Sequence, residues 1–288
     1  MTLIVETTGP LVTVQDLGRP GHADIGVTRG GAVDRAALRL ANRLVGNPEG
    51  AAGLELLLGP SSFIATRSAL VAVTGAPTQV RILDRTMAFG QAHHVPAGAR
   101  VSVGRAAHGL RSYLAVRGGI RVPTLLGSAS SSPTLGLGPA PLHAGTRLEI
   151  GVDPGMPPTS APVPVASWPE ELAVDVVLGP RIDWFTAAAV RTLTGTRWRV
   201  SSEVDRVGAR LVGPVLSRER HGELVSEPLT RGSIQVPPDG QPIVFLADHP
   251  TIGGYPVIAV VADADVDSVG QQAPGSGLRF RAVAPPWA

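Results

Sequence analysis

Short apolar runs separated by turn residues recur along most of the chain. They are rich in β-branched and aromatic residues, and glycine, proline or polar pairs bound each one, which is typical of β-strands. Because no alternation of strands and helices interrupts them, the runs predict a mainly β protein of barrel or sandwich type. The predicted strands cover residues 3–5, 11–14, 54–58, 62–66, 69–74, 78–83, 100–104, 112–117, 172–178, 197–201, 233–236, 243–247, 257–262 and 278–283.

Two segments show helical spacing of apolar residues instead. The first begins after Asp34, a good N-cap residue, and is closed by Gly46, which suits a helix C-terminus. Residues 182–193 are also predicted to form a helix. The predicted helices are few and short, so the fold class remains mainly β.

Two stretches lack either pattern. Residues 127–142 are small, polar and rich in turn residues, which predicts a long and mobile surface loop. Residues 153–169 are dense in proline, which is typical of a semi-rigid linker. We therefore predict a β unit over residues 1–152 and a second β unit over residues 170–288, joined by this linker.

Composition excludes several classes of site. Reading along the 288 residues, there is no lysine and no cysteine. The missing lysine excludes a P-loop, a Schiff base and a biotinyl-lysine carried on this chain. The missing cysteine excludes thiolate nucleophiles, disulfides and cysteine-based zinc sites. With 43% hydrophobic residues, the 35 glycines and 27 prolines indicate frequent chain reversals rather than disorder.

Charge and apolar content also limit the partners that we expect. The 25 arginines balance 23 acidic residues, and aromatic residues make up 4% of the chain, which does not suit nucleic-acid binding. No apolar run is long enough to span a membrane, and no targeting segment is evident, so we expect a cytoplasmic protein. The acidic residues at positions 263, 265 and 267 resemble the start of a calcium loop, but the glycine and glutamate that such a loop needs further on are missing. We predict instead that they lie at a solvated strand end. No metal site is expected.

Polar residues cluster where predicted strands end. Gln15 and Arg19 follow the second strand, and their amide and guanidinium groups suit a planar amide or carboxylate ligand. The alternative for this segment is a turn capped by Asp16 with Arg19 on the surface. A second set of candidate ligand-binding residues is formed by Asp205, Arg206 and Arg210. The alternative is that these residues only form an ion pair.

The most informative stretch is residues 226–256. Two predicted strands flank a turn at residues 237–240, and the second strand runs into Asp248, His249 and a glycine pair followed by Tyr255. Glycines at a strand end let a ligand approach the backbone closely, which is typical of a binding loop. His249 and Tyr255 could transfer protons, and apolar packing is the alternative for Tyr255.

The same loops carry a resemblance to a known family. The motifs are VQDLGR at 14–19, GAVD at 31–34, ANRLVGN at 41–47, LE at 54–55 with GP at 59–60, RSYLAVRGG at 111–119, DRVGARL at 205–211, GGYP at 253–256 and Gln271 with PG at 274–275. Together they resemble the family called allophanate hydrolase subunit 2, or biotin-dependent carboxyltransferase-like. The resemblance runs almost end to end, but residues 127–131 read GSASS where the family usually has Gly-Ser-Arg-Ser-Thr.

The resemblance implies two cyclophilin-like β-barrel units with a few short helices, and a companion subunit 1 that resembles the B subunit of 5-oxoprolinase. The two would form a heterodimer or a larger assembly. The family includes the C subunit of the ATP-dependent 5-oxoprolinase, which opens 5-oxo-L-proline to L-glutamate with ATP hydrolysis. We therefore expect a lactam hydrolase subunit that is active only with partner subunits. The alternatives are a carboxyltransferase moving carboxyl from carboxybiotin to urea or a related amide, and a non-enzymatic regulator of a partner protein.

The resemblance also indicates which residues serve the site. Asp205, Asp248 and Tyr255 are expected to be catalytic. A small amide substrate is expected to bind at Gln15, Arg19, Arg206, Arg210, Gln235, Gly253 and Gly254. Because this chain lacks lysine, ATP is expected to be contacted mainly by partner subunits, and biotin is possible only on another chain.

Overall fold

The computed structural model describes residues 1–159, 168–220, 222 and 224–285. They divide into two units, which are described separately. Unit 1 comprises Met1–Arg19 and Gly30–Trp168, and unit 2 comprises Pro20–Arg29 and Pro169–Ala288. Part of the predicted linker, residues 160–167, lies outside the described residues. Among the described helices, none has the length and apolar character needed to cross a membrane.

The described residues of unit 1 form two β-sheets and one α-helix. The seven-stranded sheet has the order β11-β12-β1-β4-β9-β6-β7, and the five-stranded sheet has the order β2-β3-β10-β5-β8. The strands are β1 (Thr2–Thr7), β2 (Leu11–Gln15), β3 (Gly53–Leu57), β4 (Ser61–Ala65), β5 (Ala69–Gly75), β6 (Val80–Ile82), β7 (Arg85–Met87), β8 (Ala92–Val95), β9 (Arg100–Val103), β10 (Arg111–Val116), β11 (Ile120–Arg121) and β12 (Arg147–Ile150).

The core of unit 1 draws apolar side chains from both sheets. Leu3 and Phe63 come from the larger sheet, while Leu54 and Val73 come from the smaller one, and all four are buried in one cluster. Side chains of β10 alternate between this cluster and the cluster beneath the helix, and every residue of the strand is buried. Burial on both faces gives the continuous apolar runs that were recognisable in the sequence. Burial of these side chains is the main source of stability for the unit.

Helix α1 (Arg35–Val45) covers the five-stranded sheet. Its start is set by Asp34, whose carboxylate accepts a hydrogen bond from the backbone N–H of Ala37 at 2.8 Å. Its end is set by Gly46, whose φ of 72° lies in the left-handed region. Glycine adopts this conformation with little strain because it has no Cβ. Leu38 and Leu44 pack into a cluster with Tyr113 of β10. Both predicted ends of this helix are confirmed.

A buried polar network ties the start of α1 to the sheet. Tyr113 lies opposite Glu55 in the β10–β3 pair, and its hydroxyl donates to the Glu55 carboxylate at 2.7 Å. The same hydroxyl accepts from the N–H of Asp34 at 2.8 Å, and the N–H of Val33 donates to Glu55 at 3.0 Å. Arg111 places its Nε 3.7 Å from the Glu55 carboxylate. Burial raises the pKa of Tyr113 well above its ordinary value, so the hydroxyl stays protonated as the donor.

Unit 2 is built on a closed barrel with the order β13-β20-β17-β18-β15-β14-β21. Strands β13 and β21 pair in parallel, and β14 pairs with β15 and β21 in antiparallel fashion. A separate two-stranded sheet pairs β16 with β19. The strands are β13 (Glu171–Leu178), β14 (Arg197–Val204), β15 (Gly208–Val212), β16 (Glu227–Pro228), β17 (Ser233–Gln235), β18 (Ile243–Phe245), β19 (Ile252–Gly253), β20 (Val257–Val261) and β21 (Gly277–Ala282). The mainly β class is confirmed.

Two helical features of unit 2 differ from expectation. The predicted helix over 182–193 is wrong at its start, because a short 3-10 turn, Ile182–Trp184, precedes α2 (Ala187–Gly195). Thr186 begins α2 by accepting from the N–H of Ala189 at 3.1 Å, a cap that the apolar spacing alone did not reveal.

The predicted strand end at residues 263–267 is also wrong. These residues form α3 (Asp263–Val269), with acidic residues in its first turn. Carboxylates are favourable there because the helix dipole is positive at its N-terminus. Arg231 donates to Asp263 at 2.9 Å and also to Asp267, which lies four residues further on, on the same face of the helix. These contacts favour the helical conformation of the acidic segment.

The buried network of unit 1 gives a stability prediction. We expect Tyr113→Phe to lower the free energy of unfolding by about 1–3 kcal/mol, because it removes a donor to Glu55 and leaves the N–H of Asp34 without its acceptor. Urea unfolding of both proteins measures the difference. The control is Tyr255→Phe at the only other tyrosine, which is 39% exposed and should change stability by less than about 0.5 kcal/mol. Equal stability of the two variants would contradict the role of the network.

Candidate functional site

Gln15 ends β2 with its amide held in one orientation. Its Nε2 donates to the carbonyl oxygen of Ser131 at 2.8 Å and to the Thr13 hydroxyl at 3.0 Å. Because both partners are acceptors here, the carbonyl end of the amide must face away from them. That oxygen, Oε1, is buried and has no hydrogen-bond partner among the described residues.

Arg19 lies buried near the same strand end. Its guanidinium donates to the carbonyl oxygen of Ser130, and its Nε lies 3.4 Å from the carbonyl oxygen of Leu125. The alternative that placed Arg19 on the surface is therefore wrong, since only 1% of it is exposed. The other half of that alternative holds, because the Asp16 carboxylate accepts from the N–H of Gly18 at 2.7 Å and caps the turn.

Residues 127–132, which we call the serine loop, are fixed to the end of β2. The Asp16 carboxylate accepts from the Ser128 hydroxyl at 2.7 Å, from the N–H of Ala129 at 2.7 Å and from the Ser130 hydroxyl. The Ser130 hydroxyl in turn accepts from the N–H of Asp16 at 3.0 Å, and Ser131 donates its N–H to Val14 at 2.9 Å. The expected mobile surface loop is wrong for this part, because residues 128–132 are buried.

The serine loop contributes further buried oxygens without partners. The hydroxyls of Ser131 and Ser132, like Oε1 of Gln15, are buried and make no hydrogen bond within the described residues. A buried polar atom left in that state costs about 1–3 kcal/mol unless a ligand or water satisfies it. Sequence reasoning missed both serines, because their significance depends on burial by a loop that seemed mobile.

In unit 2, Arg206 and Asp248 form a buried ion pair with each other. The Arg206 Nε donates to Asp248 Oδ2 at 2.9 Å, and Nη2 donates to Oδ1 at 3.1 Å. Their side chains are 6% and 0% exposed, and the N–H of Asp248 donates to the Arg206 carbonyl at 2.9 Å. This two-pronged contact joins the turn after β14 to the loop after β18, and it fixes both.

Asp205 and Arg210 lie on a surface groove of about 490 Å³ in unit 2. Asp205 accepts from the N–H groups of Val207 and Gly208 at 2.7 and 3.0 Å, so it shapes the turn between β14 and β15. Arg210 pairs with Glu203 at 3.0 Å and with Asp239 at 2.8 Å, two carboxylates outside the predicted set. The groove is also lined by Ser202, Val204, Ile243 and Phe245.

Gln235, Gly253, Gly254 and Tyr255 come together around β17 and β19. Gln235 donates from Nε2 to the carbonyl oxygen of Tyr255 at 2.8 Å. A Cβ on Gly253 would lie 2.6 Å from that same Nε2, so a side chain there would push Gln235 away. The ring of Tyr255 faces Arg218, whose Cζ lies 5.9 Å from the ring centroid. Arg218 is a candidate that sequence reasoning missed.

The candidate residues are distributed over both units. Gln15 and Arg19 meet the serine loop in unit 1, while the remaining candidates lie in unit 2. Buried His249 places Nδ1 2.7 Å from the carbonyl oxygen of Pro250. Within the part of the chain that is described, no three metal-ligating side chains come together.

Comparison with known proteins gives consistent matches. Residues 25–282 match the family model described as carboxyltransferase domain, subdomain A and B. The chain is 38% identical to the C subunit of 5-oxoprolinase from Escherichia coli (strain K12) over 275 residues, covering 94% of this chain and 88% of that protein.

Two crystal structures are also similar. TTHA0988 matches with a TM-score of 0.89 and 35% identity, covering 97% of this chain and 55% of that one. The K. lactis urea amidolyase matches with a TM-score of 0.92 and 30% identity, covering 98% of this chain and 19% of that one. The chain therefore spans about half of TTHA0988 and most of the Escherichia coli protein. These matches confirm the resemblance carried by the sequence motifs.

The anchoring of the serine loop gives a second prediction. We expect Asp16→Asn to loosen residues 127–132, because a neutral amide cannot accept from all of their donors. A loss of about 2 kcal/mol would speed hydrogen exchange of the Ala129 amide roughly 30-fold. The control, Asp84→Asn, alters an exposed residue with a φ of 62°, which asparagine tolerates. Unchanged exchange at Ala129 in Asp16→Asn would contradict the anchoring role.

Proposed function

Because the chain belongs to the family of carboxyltransferase domains with subdomains A and B, we propose that it is the C subunit of an ATP-dependent 5-oxoprolinase. With a companion chain, it would open 5-oxo-L-proline to L-glutamate at the expense of ATP. The observation that carries this proposal is the 38% identity to a protein named as that subunit in Escherichia coli, of which the match covers 88%.

The chemistry explains why ATP is needed. A lactam carbonyl is a poor electrophile, because the nitrogen lone pair is delocalised into it. Transfer of the γ-phosphoryl group from ATP to the carbonyl oxygen creates a leaving group and releases ADP. Water then adds to the carbon, and the C–N bond breaks as the nitrogen takes up a proton, which leaves an acyl phosphate. A second water hydrolyses the acyl phosphate to the carboxylate of glutamate and inorganic phosphate.

Gln15 is the residue best placed to recognise a lactam N–H. Its Oε1 is a buried acceptor with no partner in the described residues, and its Nε2 is held by Ser131 and Thr13. A ligand N–H supplies the donor that this oxygen lacks. Arg19, whose guanidinium lies at the serine loop, would favour charge that develops on the carbonyl oxygen.

In unit 2 we infer different roles for the expected catalytic residues. Asp205 lines the groove and Tyr255 is 39% exposed, so both can meet a substrate and exchange protons. Both carboxylate oxygens of Asp248 accept from Arg206, which favours a positioning role for this pair. Arg210, Gln235, Gly253 and Gly254 would then shape the binding surface.

The companion subunit would supply most contacts to ATP. Phosphate sites commonly rely on lysine, and this chain has none. A companion similar to the B subunit of 5-oxoprolinase, in a heterodimer or a larger assembly, would complete the enzyme. Both chains would work in the cytoplasm, where ATP is available.

One observation favours a second candidate function. The fold matches the K. lactis urea amidolyase with a TM-score of 0.92. Carboxyl transfer from carboxybiotin to urea or a related amide would need biotin on a lysine of another chain. We rank it second because the match covers 19% of that protein, against 88% of the Escherichia coli 5-oxoprolinase subunit.

Turnover by the reconstituted complex tests the first candidate. Combined with its companion subunits, the chain should release ADP in step with consumption of 5-oxo-L-proline, and the chain alone should not. Absence of turnover in the complete complex, with binding intact, would reject the enzyme and favour a regulator. Carboxylation of urea by a biotinylated partner would favour the second candidate.

The role of Gln15 is tested in the same complex. We expect Gln15→Met, a substitution of similar size, to lower kcat/KM by about 10- to 100-fold, the loss expected when a buried hydrogen bond to substrate disappears. Gln79→Met, at an exposed glutamine, is the matched control and should retain full activity. Circular dichroism shows whether each variant is folded. A folded Gln15→Met enzyme with unchanged kcat/KM would exclude Gln15 from substrate recognition.

A further inference from the structure

Arg218 differs from the other buried and half-buried arginines of unit 2. Within the described residues it has no carboxylate within 4.0 Å, whereas each of the others has one. The pairs are Arg181 with Glu227, Arg206 with Asp248, Arg210 with Glu203 and Asp239, Arg231 with Asp263 and Asp267, and Arg279 with Glu171. Among the described residues, Arg218 is therefore the exception to this pairing of buried and half-buried arginines with carboxylates.

The backbone around Arg218 is held firmly. Ser217 accepts from the N–H of Thr186 at 3.2 Å, and Glu219 donates its N–H to the carbonyl oxygen of Trp184 at 2.8 Å. These bonds on either side of Arg218 attach its segment to the start of α2. The side chain is consequently presented from a fixed point rather than from a free loop.

The guanidinium itself uses little of its donor capacity. One Nη2–H donates to the carbonyl oxygen of Val236 at 2.5 Å, while Nε is buried without a hydrogen-bond partner in the described residues. Guanidinium carries five N–H donors, so most of them have no acceptor among the residues that the structure describes. The ring of Tyr255 lies 5.9 Å from Cζ, and 39% of this tyrosine is exposed to solvent.

Electrostatics distinguish this arginine from its neighbours. Burial lowers the pKa of Arg218, whereas the bond to Glu227 raises the pKa of Arg181. Asp239 also lies within electrostatic range of Arg218, but its carboxylate is bonded to Arg210 at 2.8 Å. An anion that bound Arg218 would bring a negative charge close to the guanidinium. Folding has already removed part of the water around the guanidinium, so binding the anion costs less desolvation.

We propose that Arg218 and Tyr255 form a binding site for the carboxylate of a small-molecule ligand. A guanidinium that has no carboxylate within 4.0 Å among the described residues can accept one, and its planar shape presents paired donors to a planar carboxylate. The Tyr255 ring, whose centroid lies 5.9 Å from Cζ, forms an aromatic wall of the site. Gly254 next to Tyr255 leaves room for the ligand, because a Cβ there would come no closer than 3.4 Å to another atom.

The identity of the ligand rests on the proposed function, since 5-oxo-L-proline carries one carboxylate in addition to its lactam. The site itself rests on the geometry of unit 2. Arginine-selective labelling with phenylglyoxal tests it on the full-length wild-type chain, without companion or ATP. The chain has neither lysine nor cysteine to compete for the reagent. Mass spectrometry of peptides then gives the rate of labelling at each arginine.

We expect carboxylates to protect Arg218 selectively. At a concentration tenfold above its dissociation constant, 5-oxo-L-proline should slow labelling of Arg218 by about tenfold. Acetate should protect at higher concentration, and the neutral carboxamide of 5-oxoproline should not protect. Arg281, which is exposed and paired with Asp175, is the internal control and should label at an unchanged rate.

Three results would overturn the proposal. They are no protection of Arg218 by either carboxylate, equal protection by the neutral carboxamide, and protection by inorganic phosphate at lower concentrations than the carboxylates need. The last result would assign the site to phosphate. Protection of Arg218 combined with an inactive complex would reject the proposed enzyme and keep this site. An active complex without protection would reject this site alone.

Discussion

The arrangement of unit 1 around its candidate site depends on one carboxylate. Asp16 follows β2 directly, and it accepts hydrogen bonds from Gly18, Ser128, Ala129 and Ser130. A single ionised side chain therefore shapes its own turn and holds a loop that is more than a hundred residues away in sequence. Because β2 is held in register by β3, the position of the loop is set by the sheet. The serine-loop oxygens, which have no hydrogen-bond partner in the described part of the chain, are consequently held in fixed positions, as a preformed binding site requires.

The parts of the fold that could be predicted from the sequence are those decided by neighbouring residues. Helix α1 was predicted at both ends, because Asp34 and Gly46 act through local backbone geometry. Strands β7 and β8 were missed, since the first has three residues and the second contains adjacent histidines in place of a clear apolar run. Helix α3 was missed because alternating acidic residues imitate the two-residue period of a strand. Its preference for a helix comes partly from Arg231, 32 and 36 positions away.

For the candidate site too, local sequence predicted some residues and missed others. Gln15 and Arg19 could be selected by residue type and by their place at a strand end, which are both local features. Ser131 and Arg218 could not be selected in this way, because their significance depends on the residues that surround them in the folded protein. Ser131 is notable for a buried hydroxyl without a partner, and Arg218 for the lack of a carboxylate that every comparable arginine of unit 2 has within the described residues. Such properties exist only after distant segments have been brought together.

Arginine provides all the side-chain positive charge in this chain apart from histidine, and that choice has structural consequences. Guanidinium can hold a carboxylate with two parallel bonds, as Arg206 holds Asp248, and can still be buried. Among the described residues of unit 2, every buried or half-buried arginine except Arg218 has a carboxylate within 4.0 Å, and a desolvated charge without such a contact lowers stability. Stability alone would favour a neutral side chain at position 218. The guanidinium at this position, and the serine-loop oxygens that have no hydrogen-bond partner among the described residues, are the physical basis of the ligand sites proposed above.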